Sequence, residues 1–179
     1  MFIVVASLSL AVVIVLKVYR EKATAELLRK LPQNIDVALR KIHFTETRDG
    51  IKKWDLVADQ AEYDKVREVT HLTGVRLVVA GGRATGDITL TAGRADYYNT
   101  SRDVRLAGKV MAKSVSGMEF TTESATYIAA RSVITTSSRV KFADGTLTVE
   151  GVGMELMPAT KNIRVFNEVI AHIIPEAGR

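Results

Sequence analysis

The chain has 179 residues, of which 47% are apolar, and this combination is typical of one globular domain with a small appendage and argues against a disordered chain. The formal charge of +5 is spread along the sequence, which favours an ordinary solvated surface over a dedicated anion-binding one. The sequence contains no cysteine, so disulfides and thiolate metal sites are excluded.

The N-terminal segment from Met1 to Leu16 is uncharged and almost wholly apolar. A helix of that length reaches about 24 Å, and the residues up to Arg20 extend it toward the roughly 30 Å of a hydrocarbon core. We therefore predict a transmembrane anchor helix over residues 1–20. The alternative is a signal peptide cleaved near Ala25, but the charges between Lys17 and Lys22 separate the apolar run from that site.

Residues 21–33 predict a juxtamembrane linker whose helical spacing ends before Pro32. The positive-inside rule would keep the following domain in the cytoplasm, although a long domain can cross the membrane regardless of flanking charges. Beyond Asn34 the helical period disappears. We predict a β-rich domain over residues 34–175 and a tail over residues 176–179.

Four copies of one pattern follow, with first positions at Trp54, Ile88, Met118 and Leu147. In each copy the residues predicted to face inward lie zero, two and four positions after the first residue, and then seven and nine positions after it. The spacing changes from even to odd, so the strand changes once which side chains face inward. The residues at offset nine are Tyr63, Tyr97, Tyr127 and Leu156. A polar tip and a second alternating strand complete each copy, and a period of about 30 residues is expected of stacked supersecondary units.

Turn signals such as Asp144-Gly145 separate the copies, and residues 34–50 supply the return half of a truncated first copy that ends at Asp49-Gly50. About nine antiparallel strand pieces are therefore predicted. If every hairpin bends where its inward side chains change, a single stack of hairpins forms two sheets that face each other as walls. The apolar side chains are then buried between the two walls. The predicted fold class is all-β, an antiparallel β-jellyroll of stacked bent hairpins after one transmembrane helix.

The sequence offers no catalytic constellation. His43, His71 and His172 lie in separate strands without metal-ligand spacing, and no serine stands in a nucleophile elbow. The run that begins at Gly81 joins two strands and indicates a turn, not a nucleotide loop. We expect no enzymatic activity, no cofactor and no metal.

Three motifs behind the apolar segment indicate a family: WDLVADQAEY at residues 54–63, the Gly108-Lys109-Val110 strand, and FTTESATY at residues 120–127. In this order they resemble the LptC family of lipopolysaccharide export proteins and its OstA-like β-jellyroll relatives, from Met1 to Ile174. The resemblance implies an inner-membrane anchor, with Ala6, Ser7, Ser9 and Ala11 as its small packing residues, and a C-terminal domain in the periplasm. It implies lipopolysaccharide, the permease and ATPase subunits of an ABC transporter and a soluble periplasmic jellyroll bridge protein as partners, and no nucleic acid.

By the same resemblance the apolar interior would hold acyl chains while sugars and phosphates stay in water. The inward residues expected to contact lipid are Leu56, Ile88, Leu90, Leu106, Met118, Phe120, Ile134, Val149 and Val165. Trp54 is expected to be a structural plug at one end. The outer strands would join the transporter's jellyroll and the bridge protein by strand addition. The predicted edge residues are Val37, Leu39, Ile42 and Phe44 at the first edge and Ile163, Val165, Val169 and Ile173 at the second.

Two other functions stay open from the residues alone. An anchored β-sandwich could bind polysaccharide or peptidoglycan through its tyrosines, although their recurrence in the copies favours packing. A periplasmic enzyme could use Asp59, Asp96 or Glu123 near the corners.

Overall fold

The structure is a computed structural model that describes residues 35–48, 50–81, 85–158, 160 and 162–173. Nine strands account for the regular structure in these residues. They are β1 (Ile35–Arg48), β2 (Ile51–Asp64), β3 (Val69–Val79), β4 (Ile88–Tyr98), β5 (Val104–Ser114), β6 (Glu119–Ile128), β7 (Val133–Asp144), β8 (Leu147–Met157) and β9 (Asn162–Ile173). None of the described ranges contains a helix that is long and apolar enough to cross a membrane. The predicted anchor, linker and tail lie outside these ranges.

The nine strands form one sheet in which each strand pairs antiparallel with its neighbours along the chain, in the order β1 to β9. The all-β class and the succession of hairpins are therefore confirmed. Two predicted turns contain glycines with positive φ, Gly50 before β2 at 73° and Gly145 before β8 at 55°. Glycine reaches this left-handed region without the steric penalty of a side chain, which suits a tight connection.

The predicted change of face is present inside the hairpins. In β4, Ala92 and Ala95 are buried, while Gly93 and Arg94 between them are exposed. The ladder between β4 and β5 shifts register between Thr91 and Arg94, as at a β-bulge. Comparable shifts interrupt each of the ladders from β5 to β9. Each of these strands thus consists of two segments that direct side chains to one interior.

Small residues occupy the corner where the two segments meet. A Cβ on Gly93 would lie 3.2 Å from the carbonyl oxygen of Gly108 in the next strand, so the two backbones approach closely. The inner side of the corner is filled by buried alanines, namely Ala58, Ala61, Ala92, Ala95 and Ala125. Close packing at interior density requires short side chains where two walls converge.

Much of the inward face, above all around Trp54, is buried although, among the described residues, neither a second sheet nor a helix covers it. The core joins Trp54 and Leu56 from the first segment of β2 with Ala61 from its second segment, and Leu72 and Leu106 pack against this cluster. The sheet therefore folds over at its corners, and its two halves face each other as walls. This arrangement is consistent with the predicted jellyroll.

Replacing Ala58 by leucine is expected to lower the free energy of unfolding by about 1–3 kcal/mol, because the corner has no room for a larger side chain. Ala58 has no exposed surface, whereas Ala38 pairs with Glu62 on the outer side of β1 and is half-buried. The matched change Ala38→Leu should therefore alter stability by less than about 0.5 kcal/mol. Urea denaturation followed by circular dichroism measures both variants, and equal losses would contradict a crowded corner.

Candidate functional site

A continuous line of apolar side chains crosses all nine strands on one wall of the interior. Each member is the register partner of the next, and we call this set the leucine line. Its members are Phe44, Leu56, Leu77, Leu90, Ala112, Phe120, Phe142, Val149 and Ala171. With neighbouring strands about 4.8 Å apart, the line extends for roughly 38 Å from one edge of the sheet to the other.

A second line crosses the opposite wall, and we call it the tyrosine line. Its members are Val37, Tyr63, Thr70, Tyr97, Val104, Tyr127, Ile134, Leu156 and Ile163. Tyr97 is only 2% exposed, and Tyr63 and Tyr127 are half-buried. The repeated tyrosines therefore pack within the interior, as their recurrence predicted, and do not form an exposed platform for stacking sugars.

The nine residues predicted to contact lipid belong to this interior face. Leu56, Leu90, Phe120 and Val149 lie on the leucine line, and Ile134 lies on the tyrosine line. Ile88, Leu106, Met118 and Val165 flank these lines on the same face. The fold thus brings the predicted set together, and its contact with lipid remains a prediction.

Leu77, Ala112 and Phe142 also lie on the leucine line, although the repeat pattern did not single them out. They belong to return strands and follow the second corner of each hairpin, where the alternation is interrupted again. The available signal was the alternation that resumes after Gly74, at Val75 and Leu77.

The two outer strands differ in exposure. Within the described residues β1 and β9 each pair on one side only, and they carry the residues predicted at the two edges. Ile42 in β1 is buried, whereas Val169 and Ile173 in β9 are 52% and 72% exposed. Phe166 and Ile170, which alternate with inward residues of β9, are also exposed. The last strand therefore presents apolar side chains on both of its faces.

A polar cluster fixes β1 to β2 on the outer side of the sheet. The Asp55 carboxylate accepts hydrogen bonds from the Thr45 hydroxyl at 2.9 Å and the Lys52 ammonium at 3.2 Å, and it lies 2.9 Å from Nε2 of His43. These contacts, led by the one with His43 and then the one with Thr45, lower the pKa of Asp55 from 3.8 to about 2. The cluster stabilises the position of the edge strand.

The three carboxylates that were candidates for an enzymatic site lie in three different strands. Asp59 in β2 and Glu123 in β6 are exposed, and Asp96 in β4 lies 2.7 Å from Nδ1 of His71. In the ranges that the structure describes, no group of three or more His, Asp and Glu side chains could hold a metal ion. The arrangement gives these carboxylates no shared site.

The described residues form an all-β protein with one antiparallel sheet of nine strands, and this architecture is consistent with a jellyroll. Residues 3–173 match the family described as lipopolysaccharide-assembly, LptC-related, and this match covers nearly the whole chain. The protein belongs to the LptC-related family, as its motifs indicated. It is therefore a component of lipopolysaccharide transport, in a family whose members are membrane-associated, periplasmic and typically not enzymes. No curated protein matches the chain.

Asp55→Asn is expected to lower the free energy of unfolding at neutral pH, because the charged acceptor of the β1–β2 cluster is lost. The pKa of Asp55 is lower in the folded protein, so its stabilisation is present above pH 3.8 and is lost as the pH falls through about 2. The stability difference between wild type and the variant should accordingly shrink over that interval.

Chemical denaturation along an acid pH series measures this difference. Asp59→Asn is the matched control, because Asp59 is an exposed carboxylate of the same strand outside the cluster. A difference for Asp55→Asn that does not change with pH would show that the carboxylate charge is not what holds β1.

Proposed function

We propose that the protein is an inner-membrane-anchored, periplasmic component of the lipopolysaccharide transport bridge, which receives the lipid from an ABC transporter and passes it to the next jellyroll protein. The leucine line carries this proposal, because it supplies an apolar surface from the first edge strand to the last. Acyl chains laid along it leave water, while the sugars and phosphates of the same lipid remain solvated. Family membership supports lipopolysaccharide as the lipid.

The lipid contacts proposed are the nine inward residues predicted from the sequence. Their side chains are apolar and come from both walls, so an acyl chain between them would be contacted on two sides. Each CH₂ removed from water contributes about 0.8 kcal/mol, which favours retention of a multiply acylated lipid. None of the nine residues of the line is charged, so an acyl chain could follow it from strand to strand wherever the interior is open.

Strand addition at β1 and β9 would extend the same surface into neighbouring proteins. A strand paired with β1 continues the backbone ladder and places its own inward residues beside Phe44, and a strand paired with β9 does the same beside Ala171. We assign Val37, Leu39, Ile42 and Phe44 to the edge that meets the transporter's jellyroll. Ile163, Val165, Val169 and Ile173 are assigned to the edge that meets the soluble bridge protein.

The predicted helix over residues 1–20 would hold this domain at the inner membrane and pack against the transporter through its small residues. The domain would then lie in the periplasm, where its positive net charge suits the phosphates of the lipid.

Photo-crosslinking in cells tests the lipid contacts. Photoreactive residues at Leu90 and Phe120 should form adducts with lipopolysaccharide, because both side chains lie on the leucine line. Thr89 and Thr121 are matched controls, since they neighbour those residues in the same strands but face outward. The lipid role would be wrong if the inward positions gave no more adduct than the outward ones while export continued.

Deletion of residues 161–179 tests the second edge. The truncated protein lacks β9 and should stay folded and anchored but no longer capture the soluble bridge protein in a pull-down. Deletion of residues 174–179 is the matched control, because it leaves β9 complete. Undiminished capture by the longer deletion would place the partner on another surface.

A further inference from the structure

The inward side chains are not equally buried along the length of the interior. Trp54 and Leu56, at offsets zero and two of the first repeat copy, are 1% and 6% exposed. The six equivalent residues of the other three copies are all only half-buried, namely Ile88, Leu90, Met118, Phe120, Leu147 and Val149. The same sequence pattern is thus sealed in β2 and accessible in β4, β6 and β8.

Single buried apolar side chains such as Val110, Val140 and Met154 also lie in β5, β7 and β8. The sealed region itself coincides with the cluster of mutually packed apolar side chains. Its fully buried members come from the first four strands, and they are Ile42, Trp54, Leu56, Ala58, Ala61, Val75 and Ala95. Leu77 and Val79 of β3 pack against this cluster. At the other end the inward residues Ile163, Val169 and Ile173 of β9 are exposed. Because a close-packed cluster has no space for further atoms, an acyl chain cannot enter the part of the interior formed by β1–β3 unless side chains move.

Trp54 is held in place by a carboxylate on the edge strand. Its indole Nε1 donates a hydrogen bond to Oε2 of Glu46, the register partner of Trp54 on β1. Glu46 shares the inward face with Trp54 and is half-buried. The β1–β2 ladder shifts register immediately after Glu46, so the strand is irregular at this contact. A charge-assisted hydrogen bond therefore connects an edge strand to the largest side chain of the core.

We propose that Glu46 and Trp54 form a latch that closes the β1–β3 part of the interior, the closed half, to acyl chains, so that lipid bound to the isolated protein lies in the β6–β9 part, the open half. This inference rests on the proposed lipid-binding function. Opening the closed half requires the indole to leave Glu46 and the core. Glu46 lies on the strand assigned to the transporter, so a strand added to β1 would act directly on the latch.

The experiment uses the full-length protein, purified in detergent without its transporter and mixed with lipopolysaccharide. A photoreactive residue is placed at Leu77, in the closed half, or at Phe142, in the open half, since both positions lie on the leucine line. In the wild-type protein Phe142 should give much more lipid adduct than Leu77. Glu46→Ala should raise the yield at Leu77 by about tenfold, the change expected when a hydrogen bond to a charged group is lost.

Two variants separate the latch from general loosening. Glu46→Gln should keep the wild-type ratio of adducts, because its amide oxygen still accepts the indole hydrogen bond. Val110→Ala removes a buried apolar side chain of β5 that belongs neither to the latch nor to the nine proposed lipid contacts, and it should leave the yield at Leu77 unchanged. Circular dichroism confirms that each variant is folded.

Trp54 provides an independent readout, because it is the only tryptophan of the chain. Lipopolysaccharide should leave its fluorescence emission unchanged in the wild-type protein and shift it in Glu46→Ala. Equal adduct yields at Leu77 and Phe142 in the wild-type protein, or an unchanged yield at Leu77 in Glu46→Ala, would overturn the latch while leaving the proposed function intact. Adducts at neither position would overturn both.

Discussion

The structure depends on one constraint, that a single sheet has to bury its own apolar face. In the described residues no other layer is available to cover it, so each long strand must bend and contribute to both walls. A strand that bends in this way also has to change which side chains point inward. The bulges, the close backbone approach at Gly93 and Gly108, and the row of alanines all serve this change.

A sheet that closes by bending along its strands does not close between its first and last strands. The ladder runs from β1 to β9 without returning, so the interior is continuous with both edges. This topology gives the interior the form of a groove with two ends, which differs from the enclosed core of an ordinary sandwich. Dense packing around Trp54 fills one end, and exposed inward residues of β9 mark the other. The densely packed and the exposed parts of the inward face therefore belong to different strands.

The bends could be predicted from the sequence because alternation has a period of two, and an extra residue leaves a visible change of phase. The buried pair Ala92 and Ala95 lies where that phase change places it. The contact between Glu46 and Trp54 could not be predicted in the same way. Thr47 pairs with Lys52, so a regular hairpin would place Glu46 opposite Lys53, but a one-residue shift places it opposite Trp54. Such shifts depend on how a strand fits the core, which local patterns do not encode.

The sequence also did not show that side chains at equivalent positions are buried to different extents, because Trp54 and Met118 occupy the same place in the repeat. Trp54 is buried because it lies in a cluster with residues of three other strands, such as Ile42, Val75 and Ala95, and these residues are distant from it in sequence. The residues that form the groove are thus readable from periodicity, since periodicity fixes the face of each side chain. The space between the walls depends on packing across them, so the sequence alone did not indicate which half is closed.

The two edges of the sheet are chemically unlike. β1 directs Arg40, His43 and Thr45 outward, whereas β9 carries the apolar Phe166 and Ile170 on its outer side. Contacts between unlike edges repeat without closing, while contacts between like edges end in a symmetric pair. A row of such domains joined edge to edge consequently has a polarity, with a distinguishable beginning and end. Every edge-to-edge contact would then fix the direction of the row, even though such a contact would be made mainly by backbone hydrogen bonds, which do not depend on sequence.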